Sequence, residues 1–394
     1  MKVKATPADF MVQEESNLSL RTRRSEFAVF QLSKTSWDTF DLIDLLARRW
    51  GVRREDLSVG GMKDRHGNTE QMISVRGLRG RPASLSDKNF TLRFKGWADG
   101  PVTARDIRGN RFVITLRDMT QSEARIIAAN APEAARDGIP NYYDEQRFGS
   151  ARHGAGFMGR EIFLGRREKA LRLYFTPSKH DDQKTRKLKR CVIDNWGHWE
   201  RCAAGGFGEY GRVLAYLALN RGAYHQALEK IDRRFLVFAL NAYQSFLFNE
   251  VLARWLMEIG AEQGIPLLPL RYAFGTYIFF TGLTPAQAEK VRSTLLPVPG
   301  YDTVCGEETI QRILAGVLAG EGICLSDLRV RQMHRIRVGG VDRAAAVVPE
   351  DLNVSEPEND ELYPGKRKAT LRFFLPRGGY ATVLIKRLTL PPAR

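Results

Sequence analysis

The chain has 394 residues, 43% of them hydrophobic and 27% charged, which excludes a wholly disordered protein and leaves room for two domains or for one domain with a large insertion. Lys and Arg number 61 against 45 Asp and Glu, a formal charge of +16; an excess of that size favours a polyanionic partner, because each neutralised phosphate releases counterions. The first residues, MKVKATPADFMVQEE, lack the apolar core of a signal peptide, and no stretch offers about 18 uninterrupted apolar residues, so the expectation is a cytoplasmic protein without a membrane partner.

In chain order, FAVFQLS at 27 to 33 reads as a strand. Phe40, Ile43, Leu46, Ala47 and Trp50 then recur at helical spacing over 39 to 50, with Asp38 or Thr39 as the cap and Gly51 as the stop. A short strand at 57 to 59 runs into GGMKDRHGNTEQ at 60 to 71, and residues 72 to 75 resume extended structure, which places that motif on a loop between strands. Strands are expected at 90 to 94 and 111 to 117, with Phe112, Ile114 and Leu116 on one face of the second. NYYDEQRFGSARHGAG at 141 to 156 reads as a loop. From about 160 to 235 the chain is helical and basic, including KTRKLKR at 184 to 190, a run that suits either a solvated face or an RNA contact. Phe238, Tyr243, Phe246, Leu247, Val251, Trp255 and Leu256 predict a long buried helix over 236 to 257, and short strands follow over 265 to 306. ATLRFFLPRGGYATVLIKRL at 369 to 388 reads as two strands joined through Pro376, Gly378 and Gly379.

Most catalytic signatures are absent. The glycines before Lys63 lack the spacing of a phosphate-cradling loop, and no HExxH, GxSxG or kinase set occurs. The six histidines are scattered, and Cys191, Cys202, Cys305 and Cys324 form neither a CxxC pair nor a cluster with histidine, so free thiols, no metal and no disulfide framework are expected. What remains is Asp64 between Lys63 and Arg65, whose positive charge favours an ionised carboxylate able to act as nucleophile or base at a sugar carbon. The same residues also suit a charged turn. In RGNRF, Gly109 permits close backbone approach, Asn110 offers a two-sided hydrogen bonder, and Phe112 suits either base stacking or the core. Tyr143, Gln146, Arg147 and Phe148 suit RNA or a packed corner equally.

Taken together, these stretches resemble the TruD family of pseudouridine synthases. GGMKDRHGNTEQ is similar to the family's GxKDxxAxTxQ, DFMVQE at 9 to 14 to its DFxVxE, and RGNRF to its GNxF. NYYDEQRFG resembles NYFGxQRFG, ALNAYQSFLFNEVL at 239 to 252 the SxLFN helix, and LRFFLPRGGYAT at 371 to 382 the ending FxLPxGxYAT. Gly67 stands where the family often has Ala, and Asp144 replaces a Gly, which puts the local loop shape in doubt if positive φ is needed there.

The resemblance implies an α+β chain with the pseudouridine synthase fold, a mixed and mostly antiparallel sheet, interrupted by an inserted α+β domain. The expected division is a catalytic domain from 1–157 and 346–394 with an insertion over 158–345. It further implies isomerisation of a tRNA uridine, at position 13, to pseudouridine, without cofactor or metal and by a monomer. Asp64 would be catalytic, Lys63 its charged neighbour, Asn110 its positioner and Phe112 the platform for the uracil, with Arg65, Tyr143, Gln146, Arg147 and Phe148 as further RNA contacts. The competing expectation is a non-catalytic RNA-binding or RNA-folding protein on the same scaffold.

Overall fold

Alternation of buried and exposed residues runs through the segments that form the main sheet, and their pairing builds the platform on which the site stands. The computed structural model describes residues 1–64, 67–78, 84–203, 205–330, 333 and 336–391. Eight strands carry the account: β1 (Phe10–Ser16), β2 (Phe27–Thr35), β3 (Leu57–Val59), β4 (Asn68–Arg76), β5 (Phe90–Ala98), β6 (Ile107–Met119), β7 (Glu350–Val354) and β8 (Arg367–Pro376). Their order is β7-β8-β6-β1-β4-β2-β5, with β3 paired to β4 and shorter strands at the margins. The β1/β4 pair is parallel and the other pairs among these eight are antiparallel, the mixed, mostly antiparallel sheet expected.

Helix α1 (Thr39–Trp50) starts where Asp38 accepts hydrogen bonds from the amides of Phe40 and Asp41 and stops at Gly51 in the left-handed region, φ +61°. Its Leu42, Ile43 and Leu46 bury against Phe30, Leu32, Ile73, Val75 and Leu92 of β2, β4 and β5, each such side chain contributing about 1.5–3 kcal/mol. Helices α2 (Gln121–Asp137) and α3 (Ala381–Thr389) pack together. The guanidinium of Arg387, 1% exposed, meets Glu133 Oε2 at 2.8 Å, and Asn130 donates to the carbonyls of Leu388 and Leu390. The expected second strand after Gly379 is therefore helix α3. Val383 and Ile385 favour a strand locally, but Ala381, Leu384 and Leu388 bury together with them in the helix, so packing overrides propensity.

The chain divides into two compact units, residues 1–139 with 347–394, and residues 140–346. The unit boundaries fall between Ile139 and Pro140 and between Ala346 and Val347, so the NYYDEQRFG loop belongs to the inserted unit. The inserted unit is built on the helix Arg233–Gln263, which buries Tyr243, Leu247, Val251 and Trp255. Although that helix is long and apolar enough to span a membrane, 67% of its most apolar stretch is buried inside the protein, as befits a core helix. A hairpin of strands Leu267–Tyr272 and Gly275–Phe280 and a series of shorter helices complete the unit.

Two charge and thiol patterns in the inserted unit differ from what the sequence predicts. Cys191 and Cys202 form a disulfide, Cα–Cα 6.0 Å. Their spacing matches no motif, and only the turn between helices Gln183–Asp194 and Glu200–Ala203 brings them together. The run KTRKLKR is split by the helix it forms. Arg186 donates to the carbonyls of Ser178, Lys179 and Asp181, and Lys189 pairs with Asp181, while Lys184, Lys187 and Arg190 are exposed and unpaired with carboxylates among the described residues.

Gly109 is a close-approach position: a Cβ there would lie 2.2 Å from the Leu375 carbonyl oxygen and 2.4 Å from the Phe374 ring. Gly109→Ala should therefore destabilise the first unit by about 1–3 kcal/mol, read as a lowered urea midpoint. The disulfide closes a loop with a sequence separation of 11, so reduction should remove up to about 3 kcal/mol of stability. Thermal melts with and without reductant should differ for the wild type and coincide for Cys191→Ser.

Candidate active site

Strand register assembles the site. Across one face of the sheet, Lys34 lies opposite Thr69, Thr69 opposite Val12, Val12 opposite Phe112, and Phe112 opposite Phe373. Two residues along, Glu14 lies opposite Asn110. Because side chains alternate, Phe10, Val12 and Glu14 share a face, as do Asn110 and Phe112.

The β3–β4 loop is tied to this face by side chains beneath it. Lys34 Nζ donates to the carbonyl oxygens of Asp64 (2.9 Å), Lys63 (3.4 Å) and Trp37 (2.8 Å). Gln71 Nε2 donates to the Gly61 carbonyl at 3.2 Å and Thr39 Oγ1 to that of Lys63 at 3.5 Å. Gly67 is also a close-approach position, since a Cβ would lie 2.7 Å from the Phe10 carbonyl oxygen. The family's Ala therefore does not fit this backbone unchanged.

The Asp64 side chain is 33% exposed, and its Oδ2 lies 2.8 Å from Lys4 Nζ. Lys4 adopts φ +64°, rare for a residue with a side chain, and its ammonium sits 3.8 Å from the centroid of the Phe10 ring. The Lys63 ammonium is engaged elsewhere: it lies 2.7 Å from both Asn110 Oδ1 and Glu14 Oε2, with Glu14 fully buried. The other Glu14 oxygen accepts the Met72 amide at 3.0 Å. Lys63 is thus the partner of Glu14, and among the described residues the cation on Asp64 is Lys4, since neighbouring side chains of an extended segment diverge.

An ammonium only donates, so it sets the Asn110 amide with oxygen toward Lys63 and leaves the Nδ2 donors without a partner among the described residues. Thr69 Oγ1 and Gln71 Oε1 are likewise buried without partners among them. Phe112 is 7% exposed, stacked on Phe373 with centroids 5.1 Å apart and edge-on to Phe10 at 6.3 Å. As folded it is part of the core that the Phe112, Ile114, Leu116 alternation predicts. Lys63, Asp64, Asn110 and Phe112 are therefore gathered on one surface of the first unit, while Arg65 lies outside the described residues.

Tyr143, Gln146, Arg147 and Phe148 lie in the inserted unit. Gln146 is exposed. Arg147 Nε donates to Ser245 Oγ at 3.0 Å, and the half-buried Tyr143 ring has the Arg343 guanidinium 4.2 Å from its centroid. Phe148 is 0% exposed, 4.8 Å from the Phe274 ring centroid, and offers RNA no surface. Asp144 has φ −89°, so the position that replaces a family glycine needs no left-handed backbone; its Oδ1 accepts from the Tyr277 hydroxyl at 3.3 Å.

Sequence reasoning passed over Lys4, Glu14 and Lys34. Lys4 has no local signal, because 60 residues separate it from Asp64. The other two were visible in principle. Glu14 continues the inward series Phe10, Val12, and Lys34 continues Ala28, Phe30, Leu32, so each is a charge at a core-facing position.

A partly exposed carboxylate held beside the Lys4 ammonium, on a face that also carries Asn110 and aromatic rings, suits attack or proton removal at a sugar carbon. The family profile described as tRNA pseudouridine synthase D (TruD) matches residues 1–268 and 277–388. The tRNA pseudouridine synthase D of Leptospira interrogans is 28% identical over 98% of this chain and 96% of its own. That of Aquifex aeolicus is 27% identical over 98% of each. The crystal structure of the TruD protein from Methanosarcina mazei superposes with a TM-score of 0.69 at 25% identity, covering 98% of this chain and 93% of that one. The chain belongs to the tRNA pseudouridine synthase D family of isomerases.

Proposed function

We propose that the protein converts a uridine of tRNA, at position 13, to pseudouridine, with Asp64 as the reacting carboxylate. The N1–C1′ bond breaks, the detached uracil turns, C5 bonds to C1′, and the C5 proton leaves while N1 gains one, so the product is an isomer of the substrate. Asp64 either attacks C1′ or removes the C2′ proton. The observation that carries this reading is the Asp64 carboxylate itself: 33% exposed, paired with Lys4 at 2.8 Å, on a loop anchored by Lys34.

Each neighbour then has a role. Lys4 stabilises the anion, and the Asn110 amide donates to the bound nucleotide. Extruding the base costs a few kcal/mol. Phe112, with one ring face already on Phe373, offsets part of that through the other once the entering uracil uncovers it. The outward cations Lys184, Lys187 and Arg190 suit phosphates, in line with the net charge of +16.

Asp64→Asn should lower single-turnover isomerisation of a tRNA transcript by about a thousandfold or more while the RNA dissociation constant stays within about twofold. Turnover retained by a pure Asp64→Asn preparation refutes the assignment. Replacing Lys184, Lys187 and Arg190 together by Ala should flatten the slope of log affinity against log salt by about 2. The rate at saturating RNA should be unchanged, and an unaltered slope removes that helix from the RNA surface.

A further inference from the structure

Along β2, Ala28, Phe30 and Leu32 are buried apolar residues, and the next residue on that face, Lys34, is only 2% exposed. Burying an ammonium is unfavourable unless each proton finds an acceptor. Here all three acceptors are backbone carbonyls: Trp37 at 2.8 Å, Asp64 at 2.9 Å and Lys63 at 3.4 Å. Lys34 forms no ion pair among the described residues. Two of its three acceptors are the carbonyls of the Lys63-Asp64 dipeptide, and Thr39 Oγ1 supports one of them at 3.5 Å. Apolar residues would fill this volume with less desolvation, so the ammonium is there for what it holds.

We infer that Lys34 is a positioning residue for the reaction: by binding the Lys63 and Asp64 carbonyls it fixes the two peptide planes that aim the Asp64 carboxylate at the ribose and send Lys63 toward Glu14 and Asn110. The inference rests on Asp64 being the reacting group. Lys34 touches neither carboxylate oxygen, and its effect passes through the backbone of the loop, where small misplacements weigh heavily on rate.

The same geometry gives a pH signature. Burial lowers the Lys34 ammonium to about 8, against the carboxylates of Asp38 and Asp64, which raise it, and with the charge of Lys63, which lowers it further. Its strand neighbours on that face, Thr69 of β4 and Phe90 of β5, do not titrate. Above about pH 8 the amine keeps two protons and turns a lone pair toward a carbonyl, so the loop loses an anchor. Unfolding does not mimic this: between about 8 and the ordinary 10.5 the unfolded chain binds more protons at this group than the folded one, so its contribution favours folding as pH rises.

The test is single-turnover isomerisation at saturating tRNA from about pH 6 to about pH 9 for wild type, Lys34→Met and Asp64→Asn. The wild-type rate should fall through a midpoint near 8. Lys34→Met should be slower by about tenfold or more at neutral pH, with RNA affinity within about twofold, and should lack that inflection. A Lys34→Met enzyme with wild-type rate and profile, or with a uniform loss that keeps the inflection, overturns the inference. If Lys34→Met does not fold by circular dichroism, the wild-type profile decides: an inflection near 8 supports it, and a flat rate up to about pH 9 overturns it. Activity in Asp64→Asn instead overturns the reading beneath it, and the two failures are distinguishable.

Discussion

One ammonium joins the parts of the site. Lys63 Nζ lies 2.7 Å from Glu14 on β1 and 2.7 Å from Asn110 on β6, while Glu14 also accepts the Met72 amide of β4. Three strands and the β3–β4 loop meet in that group of bonds. The Glu14 side chain is fully buried and that of Lys63 10% exposed, so removing either partner strands a charge in the core, a loss of about 3–5 kcal/mol. The pair therefore requires the parallel β1/β4 register, and in that register Asn110 and Phe112 come to lie beside the loop.

The charges around Asp64 follow from this arrangement. Lys63 is neutralised by Glu14, which among the described residues leaves Lys4 as the cation paired with the Asp64 carboxylate and Lys34 as the cation beneath its backbone. Partly exposed ion pairs such as Lys4–Asp64 contribute about 1 kcal/mol or less to stability, so that pair matters for the anion it supports more than for the fold. The left-handed backbone of Lys4, φ +64°, is local strain beside the proposed reacting carboxylate, and strain tends to concentrate at functional positions.

Much of the fold was legible from periodicity. The helix over 39 to 50 with its Asp38 cap and Gly51 stop, the loop position of Asp64, and the inward face of Phe112, Ile114 and Leu116 all follow from spacing and capping chemistry. Residues 381 to 389 did not, because Val383 and Ile385 carry strand propensity while the burial that makes them helical comes from α2, far away in sequence. The Cys191–Cys202 pairing depends on a helix-helix turn that spacing alone does not reveal. At the site, residue types pointed to Asp64 and to its sequence neighbours Lys63 and Arg65 as counter-ions; Lys63 instead pairs with Glu14, Arg65 lies outside the described residues, and the cation found on Asp64 is Lys4, 60 residues away.

The proposal that Asp64 is the reacting carboxylate of a uridine isomerase is tested most directly by nucleotide-resolution mapping of pseudouridine in cellular tRNA. Cells lacking the gene should lose pseudouridine at position 13 and regain it when the wild-type chain is supplied, but not with Asp64→Asn expressed at the same level. Restoration by Asp64→Asn, or a tRNA pool unchanged by loss of the gene, would contradict the account.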